Sequence, residues 1–189
     1  MAGDEGWARR REKNQRLSSI AAPQETIMKT FRTLAVAAAI LSAAGAANAE
    51  TVVKHIQSEK SPIAAGVWAG DTYYLSGQLA DPVTPADAAK GTPAVYGDTA
   101  AQSASVFAKI KKALEAQGLS DGDVVKMTVF LGPDPTTGKL DFKGMMSEYV
   151  KYYGTAEQPN KPARSAFQVA ALAAPWALIE VEVIAVKSK

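Results

Sequence analysis

Cysteine is absent from the 189 residues, and histidine occurs once. Without thiols there is no disulfide framework, no Cys-ligated metal and no iron–sulfur cluster. One imidazole, His55, cannot form a His-cluster zinc site, and a Ser-His-Asp hydrolase is open only if His55 is the base. Aromatic residues are scarce at 7%, and charge is nearly balanced, with 21 Lys+Arg against 19 Asp+Glu for a net +2. What is present is ordinary globular material. Hydrophobic residues at 47% and charged residues at 21% exclude a disordered tail protein or a collagen-like fibre.

The positive charge belongs to the front of the chain. Residues 1–49 hold seven basic and four acidic side chains, whereas residues 50–189 hold 14 and 15. The body therefore lacks the basic surface that marks a nucleic-acid binder. From Met28 the sequence reads MKTFRTLAVAAAILSAAGAANAE. Lys29 and Arg32 precede an apolar run, residues 34–44, too short to span a bilayer, and Ala47-Asn48-Ala49 supplies the small residues of a cleavage site. Residues 28–49 are thus expected to be a signal peptide, and residues 50–189 a periplasmic or secreted domain. A buried Ala-rich helix is the competing reading, and it leaves the Ala-x-Ala ending unexplained. Residues 1–27 are polar, carry Arg9-Arg10-Arg11 and show no core-building period. They read as a disordered or mis-assigned extension before a true start at Met28, or as a basic arm touching nucleic acid or membrane.

In the mature chain, residues 51–56 form a β-branched first strand. Residues 65–69 and 72–75 pair as a hairpin about Gly70-Asp71. Residues 79–97 contain Pro82, Pro85, Gly91 and Pro93 and read as a loop, long enough to be a lid or a surface packed on a neighbour. Asp98 caps a helix running to about Gln117 and stopped by Gly118, with Val106, Ile110, Ala113 and Leu114 on one face. A strand over 123–131 follows, then a second helix over 142–153 capped by Asp141. Strands over 165–171 and 176–186 close the chain. The order β-ββ-α-β-α-ββ predicts an α+β fold, a mixed sheet with two helices on one face. Its other face is left uncovered, which predicts self-association.

Several residues could carry chemistry. Arg164, in Pro162-Ala163-Arg164-Ser165, stands at a strand start where a guanidinium can clamp a carboxylate or phosphate; the plainer alternative is a surface ion pair. Glu180 and Glu182 share one side of a strand and could divide proton-transfer and structural work, or simply form its solvent face. Ser76-Gly77-Gln78 ends a strand; its hydroxyl and N–H groups could hold an anion, or it is an ordinary turn. His55 is an edge-strand residue. Lys109, Lys111 and Lys112 read as a solvated helix face, and Trp68, Tyr73, Tyr74 and Trp176 as core or interface packing.

Taken in order, Tyr73-Tyr74-Leu75-Ser76-Gly77-Gln78, Gly118-Leu119, Gly122-Asp123-Val124-Val125-Lys126, Thr128-Val129-Phe130-Leu131, Asp141-Phe142, Tyr149, Pro162-Ala163-Arg164-Ser165 and the run from Ile179 to Val186 resemble the Rid (YjgF-like) family of enamine/imine deaminases. The likeness covers about 130 residues. It implies a chorismate-mutase-like fold, a homotrimer with interfacial clefts, no metal and no organic cofactor. It also implies that Arg164 anchors the carboxylate of a small imine or enamine, that Glu180 handles the attacking water, and that Ser76 and Gly77 line the cleft together with backbone groups at Ala166. Departures fall on the walls: Ile63 stands where deaminating members carry Tyr, Met146 where they carry Asn, and Ala166 where they carry Cys. Two functions follow. One is hydrolysis of small 2-imino or 2-enamino acids to 2-oxo acids and ammonia; the alternative is a periplasmic carboxylate-binding or protein-binding trimer without turnover. The ribonuclease activity of some members finds no basic groove here.

Overall fold

Alternation decides how the sheet faces. In β6 (Ile179–Val186) the odd-numbered residues are buried and the even-numbered ones are not, so Ile179, Val181, Val183 and Ala185 form one side. The computed structural model describes residues 51–188; the expected signal peptide and the extension before it lie outside the described residues. Six strands form one sheet: β1 (Val53–Ile56), β2 (Gly66–Ala69), β3 (Thr72–Leu79), β4 (Val124–Leu131), β5 (Ala163–Gln168) and β6. Their spatial order is β1-β2-β3-β6-β4-β5, with only the β4–β5 pair parallel. The mixed sheet is as expected.

Helix α1 (Thr99–Glu115) packs on β3 and β6 and against α2 (Phe142–Tyr149), so both helices cover the side carrying Ile179 and Val181. Asp98 caps α1 by accepting from the Ala101 N–H, and Asp141 caps α2 by accepting from Gly144. Val106, Ile110 and Leu114 of α1 are completely buried against Met127, Val129 and Val181 of the sheet. Each such side chain contributes about 1.5–3 kcal/mol by leaving water. The opposite side is open and carries Tyr74, Phe167 and Val186, all more than a third exposed.

Three boundaries differ from the sequence reading in ways that matter for the site. β3 does not stop at Leu75. It continues through Ser76 and Gly77, which together stand opposite Glu182, a bulge that shifts the register before Gln78 pairs with Val181. The serine-glycine pair thus sits inside a strand rather than in a turn. β5 begins at Ala163, so Arg164 lies within the strand instead of just before it, held in the ladder to β4. Helix α2 ends at Tyr149, and Tyr152 and Tyr153 close it by turn bonds to the Tyr149 carbonyl.

The long connection between β3 and α1 is a fastened strap. It pairs with itself at Thr84–Val95 and Asp87–Thr92. Lys109 of α1 holds Asp81 at 2.8 Å, and Tyr96 stacks on Trp176 with 3.6 Å between ring centroids. Gln102, buried in α1, ties the strap to the entry of β6. Its amide donates to the carbonyls of Gly97 and Trp176, and its oxygen accepts from Leu178 N–H at 2.8 Å.

Candidate functional site

Arg164 lies on β5 in register with Met127, whose side chain points into the helix-covered core, so Arg164 projects to the helix side. There it meets α2. Its Nη1 donates to the thioether of Met146 at 3.1 Å and approaches that of Met145 at 3.9 Å. The guanidinium carbon stands 4.3 Å from the Tyr149 ring centre and 5.7 Å from that of Phe142. Residues 142, 145, 146 and 149 follow the i, i+3, i+4, i+7 stripe of one helix face, which is why all four reach the same cation. Among the described residues no carboxylate pairs with Arg164, and none supplies an acceptor to its Nε or Nη2. An arginine fixed by rings and sulfurs, with one N–H edge free, can take a carboxylate through two parallel bonds. Burial pushes the Tyr149 phenol above its ordinary range, and the charge of Arg164 draws it partly back.

Glu180 lies on the other side of the sheet. It stands beside Leu79 of β3, and its side chain covers Gly77 so closely that a Cβ there would fall on its carboxylate oxygen. Only glycine leaves room for the carboxylate at that point of the bulge. The backbone around Ser76 and Gly77 opens onto a cleft of about 340 Å³ that is also lined by Ile56, Ser58, Ser61 and Ile63. The Ser76 hydroxyl donates to the Ala64 carbonyl at 2.7 Å, and the Ser76 N–H donates to Ala65 at 3.1 Å. Both protons of Ser76 are therefore engaged by its own chain. Ser76 lines the cleft, and its hydroxyl oxygen keeps its capacity to accept.

Arg164 and Glu180 are thus not brought together within one chain. They are two strands apart, about 10 Å across the sheet, and they project from opposite faces. Ala166 falls on the Arg164 side and packs against the core, so it belongs with the arginine. Glu182 faces the open side, where it lines a second hollow of about 270 Å³ with Tyr74, Ser76, Lys126 and Thr128. His55 is exposed on β1, which is an edge strand as its sequence suggested. Tyr73 is core, whereas Tyr74 is half exposed on the open face. Trp68 packs on Tyr73 and donates to Gln117. No group of His, Asp and Glu suited to holding a metal ion occurs among the described residues.

The family described as Endoribonuclease L-PSP matches residues 58–187, nearly the whole described chain. The chain belongs to this Rid (YjgF-like) family. A RutC family protein of Haemophilus influenzae is 35% identical over 137 residues, covering 70% of this chain and 95% of that one. The 2-iminobutanoate/2-iminopropanoate deaminase of Escherichia coli is 34% identical over 139 residues, covering 71% and 98%. The crystal structure of yeast Mmf1 superposes with a TM-score of 0.55 at 29% identity, covering 72% of this chain and all of the other. In this Rid protein Ile63 stands 65% exposed at the rim of the Gly77 cleft, and Met146 lies against the arginine. Sequence reasoning named Met146 only as a departure. It missed that Phe142, Met145, Met146 and Tyr149 form one cage around Arg164. The helical stripe from residue 142 to 149 was the available signal.

Proposed function

We propose that the protein is a hydrolase of small 2-imino or 2-enamino acids, working as a homotrimer of chorismate-mutase-like architecture. Arg164 of one copy would face Glu180, Ser76 and Gly77 of the next. The reading rests above all on the unpaired Nε–Nη2 edge of Arg164, with no carboxylate partner among the described residues. Support also comes from the relative named as a 2-iminobutanoate/2-iminopropanoate deaminase. The open sheet face, with Tyr74 and Phe167 exposed, supports self-association, which is also the way two half-sites on opposite faces can meet.

In this mechanism Arg164 holds the substrate carboxylate and orients the adjacent iminium carbon. Glu180 accepts a proton from water as the water oxygen bonds to that carbon. The proton then passes to nitrogen, the carbon–nitrogen bond breaks, and ammonia leaves a 2-oxo acid. Imine plus water gives ketone plus ammonia, with no redox change. Proton transfer by a positioned group contributes about 10²–10⁴-fold, enough for a reaction that already proceeds in water. With residues 28–49 taken as an export signal and residues 50–189 as the Rid-like domain, the reaction would run in the periplasm or outside the cell. The N-terminal residue of the protein recovered from fractionated cells tests that part.

The deciding experiment is ammonia release from freshly generated 2-iminopropanoate by the full chain, beside its Arg164→Ala and Glu180→Gln variants. Acceleration lost in both supports the assignment. Carboxylate binding without ammonia release leaves the alternative, a carboxylate-binding trimer. Acceleration retained in Arg164→Ala overturns the role of the arginine.

A further inference from the structure

We infer that Met146, with Phe142, sets the specificity of the Arg164 site for 2-imino acids with apolar side chains larger than methyl; this rests on the proposed function. A carboxylate held by Nε and Nη2 places the substrate's next carbons beside whatever surrounds the guanidinium. On α2 that surface is a single stripe. Met145 is fully buried and Tyr149 nearly so, leaving half-buried Met146 and 45% exposed Phe142 as the reachable wall. The wall offers a thioether and a phenyl ring, neither of which is a useful partner for a polar substituent.

The charged residues of α2 face elsewhere. Glu148 is held by Lys151 at 2.8 Å, and Lys143 is off the stripe. Among the described residues no second cation is found beside Arg164 to receive a second carboxylate; Lys126 of the neighbouring strand lies on the opposite side of the sheet, beside Ser165. A dicarboxylic imine would therefore place its second charge against sulfur and aromatic carbon, which carries a desolvation penalty. An isobutyl or thioether substituent covers the same surface favourably. Each fully buried methylene is worth about fourfold in binding, so three additional carbons, half covered, give about tenfold.

The test compares kcat/KM of the full chain for imines generated in situ from alanine, leucine and aspartate by amino-acid oxidases. Binding of 4-methyl-2-oxopentanoate and pyruvate is measured in parallel by calorimetry. The leucine-derived imine should exceed the alanine-derived one by about tenfold, with the aspartate-derived imine poorest. Met146→Gln, similar in length but polar, should erase that preference, whereas Met146→Leu should keep it; thermal melts confirm that both are folded. Equal use of leucine- and alanine-derived imines, or an unchanged preference in Met146→Gln, overturns the inference while leaving the deaminase reading intact. If no imine is hydrolysed, the deaminase reading fails and the binding pair decides alone. Tighter 4-methyl-2-oxopentanoate then sustains the apolar wall, and equal affinities refute it.

Discussion

Replacing Gly77 by alanine separates the placement of Glu180 from the stability of the fold. Gly77 has no positive φ, so an alanine fits its backbone. Its methyl group would fall on Glu180 Oε1 and stand 2.9 Å from Cδ and 3.1 Å from Cγ. The glutamate must rotate away. Leaving its rotamer costs about 0.5–1.5 kcal/mol. Against this, alanine recovers about 0.5–1 kcal/mol of the backbone entropy that glycine loses in a strand. The two nearly cancel, and for a domain of this size the melting temperature should move by no more than about 3 °C. Catalysis should respond very differently, because displacing a reacting group by about 1 Å can cost 10²-fold in rate. The expected result is a fall of about 100-fold in kcat for ammonia release, with carboxylate affinity kept because Arg164 is on another surface. Glu180→Gln sets the floor for comparison. Turnover within threefold of the natural protein, with melting unchanged, would show that the carboxylate at Gly77 takes no part in the reaction.

Gln102→Leu should destabilise the domain by about 2–4 kcal/mol, because the Leu178 N–H and the Trp176 carbonyl lose their buried partner; denaturant unfolding with an unchanged slope measures it, and a loss under 0.5 kcal/mol refutes the clamp. Burial raises the Asp121 carboxyl above the usual carboxylate range, and Lys111 at 3.6 Å only partly offsets this. The folded state therefore holds the Asp121 proton more tightly than the unfolded state, whose carboxyl titrates near 3.9. Its contribution to stability is greatest at low pH and is lost as pH rises through the folded value. Wild type should accordingly gain on Asp121→Asn between pH 7 and pH 4; parallel or opposite profiles count against this. Tyr74→Glu puts a charge beside Glu182 in the centre of the open face. It should yield folded monomer by light scattering, and a trimer that persists through the change would remove that face from the interface.

The fold was legible because its signals are local. Asp98 and Asp141 cap helices where the sequence placed them, and the alternation of residues 179–186 gave the two faces of β6 directly. The bulge was not legible, since a serine-glycine pair after a β-branched and aromatic run reads as a strand end. Only the ladder to β6 shows that β3 resumes at Gln78. The placement of Arg164 and Glu180 on opposite faces was hidden for a related reason. Each parity within its own strand is readable, but which face of β5 matches which face of β6 depends on register through β4, set by long-range pairing. The connection from β3 to α1 is a loop, as its prolines and Gly91 indicated, but its fastening had no local signal. That fastening comes from residues outside it: Gln102 donates to Gly97, Lys109 holds Asp81 from 28 positions away, and Trp176 stacks on Tyr96 from far along the chain.

The role proposed for Arg164 requires a cation that no carboxylate of its own chain already holds, and among the described residues none does. Had an aspartate or glutamate of α2 met the guanidinium, a substrate carboxylate would have had to displace it, exchanging one charged pair for another of similar strength. Tyr149 instead holds the cation by its ring face, worth about 0.5–2 kcal/mol, and Met146 fixes Nη1 with a weak acceptor. Position is specified while charge is left unneutralised. On the proposed reading the arginine is pre-oriented for an incoming anion, and the binding free energy of the carboxylate would not be spent on breaking an existing pair. The same sulfur that fails to neutralise the cation also furnishes an apolar neighbour for the substituent. In the proposed site, anchoring a carboxylate and selecting what is attached to it would therefore be two consequences of one helical stripe.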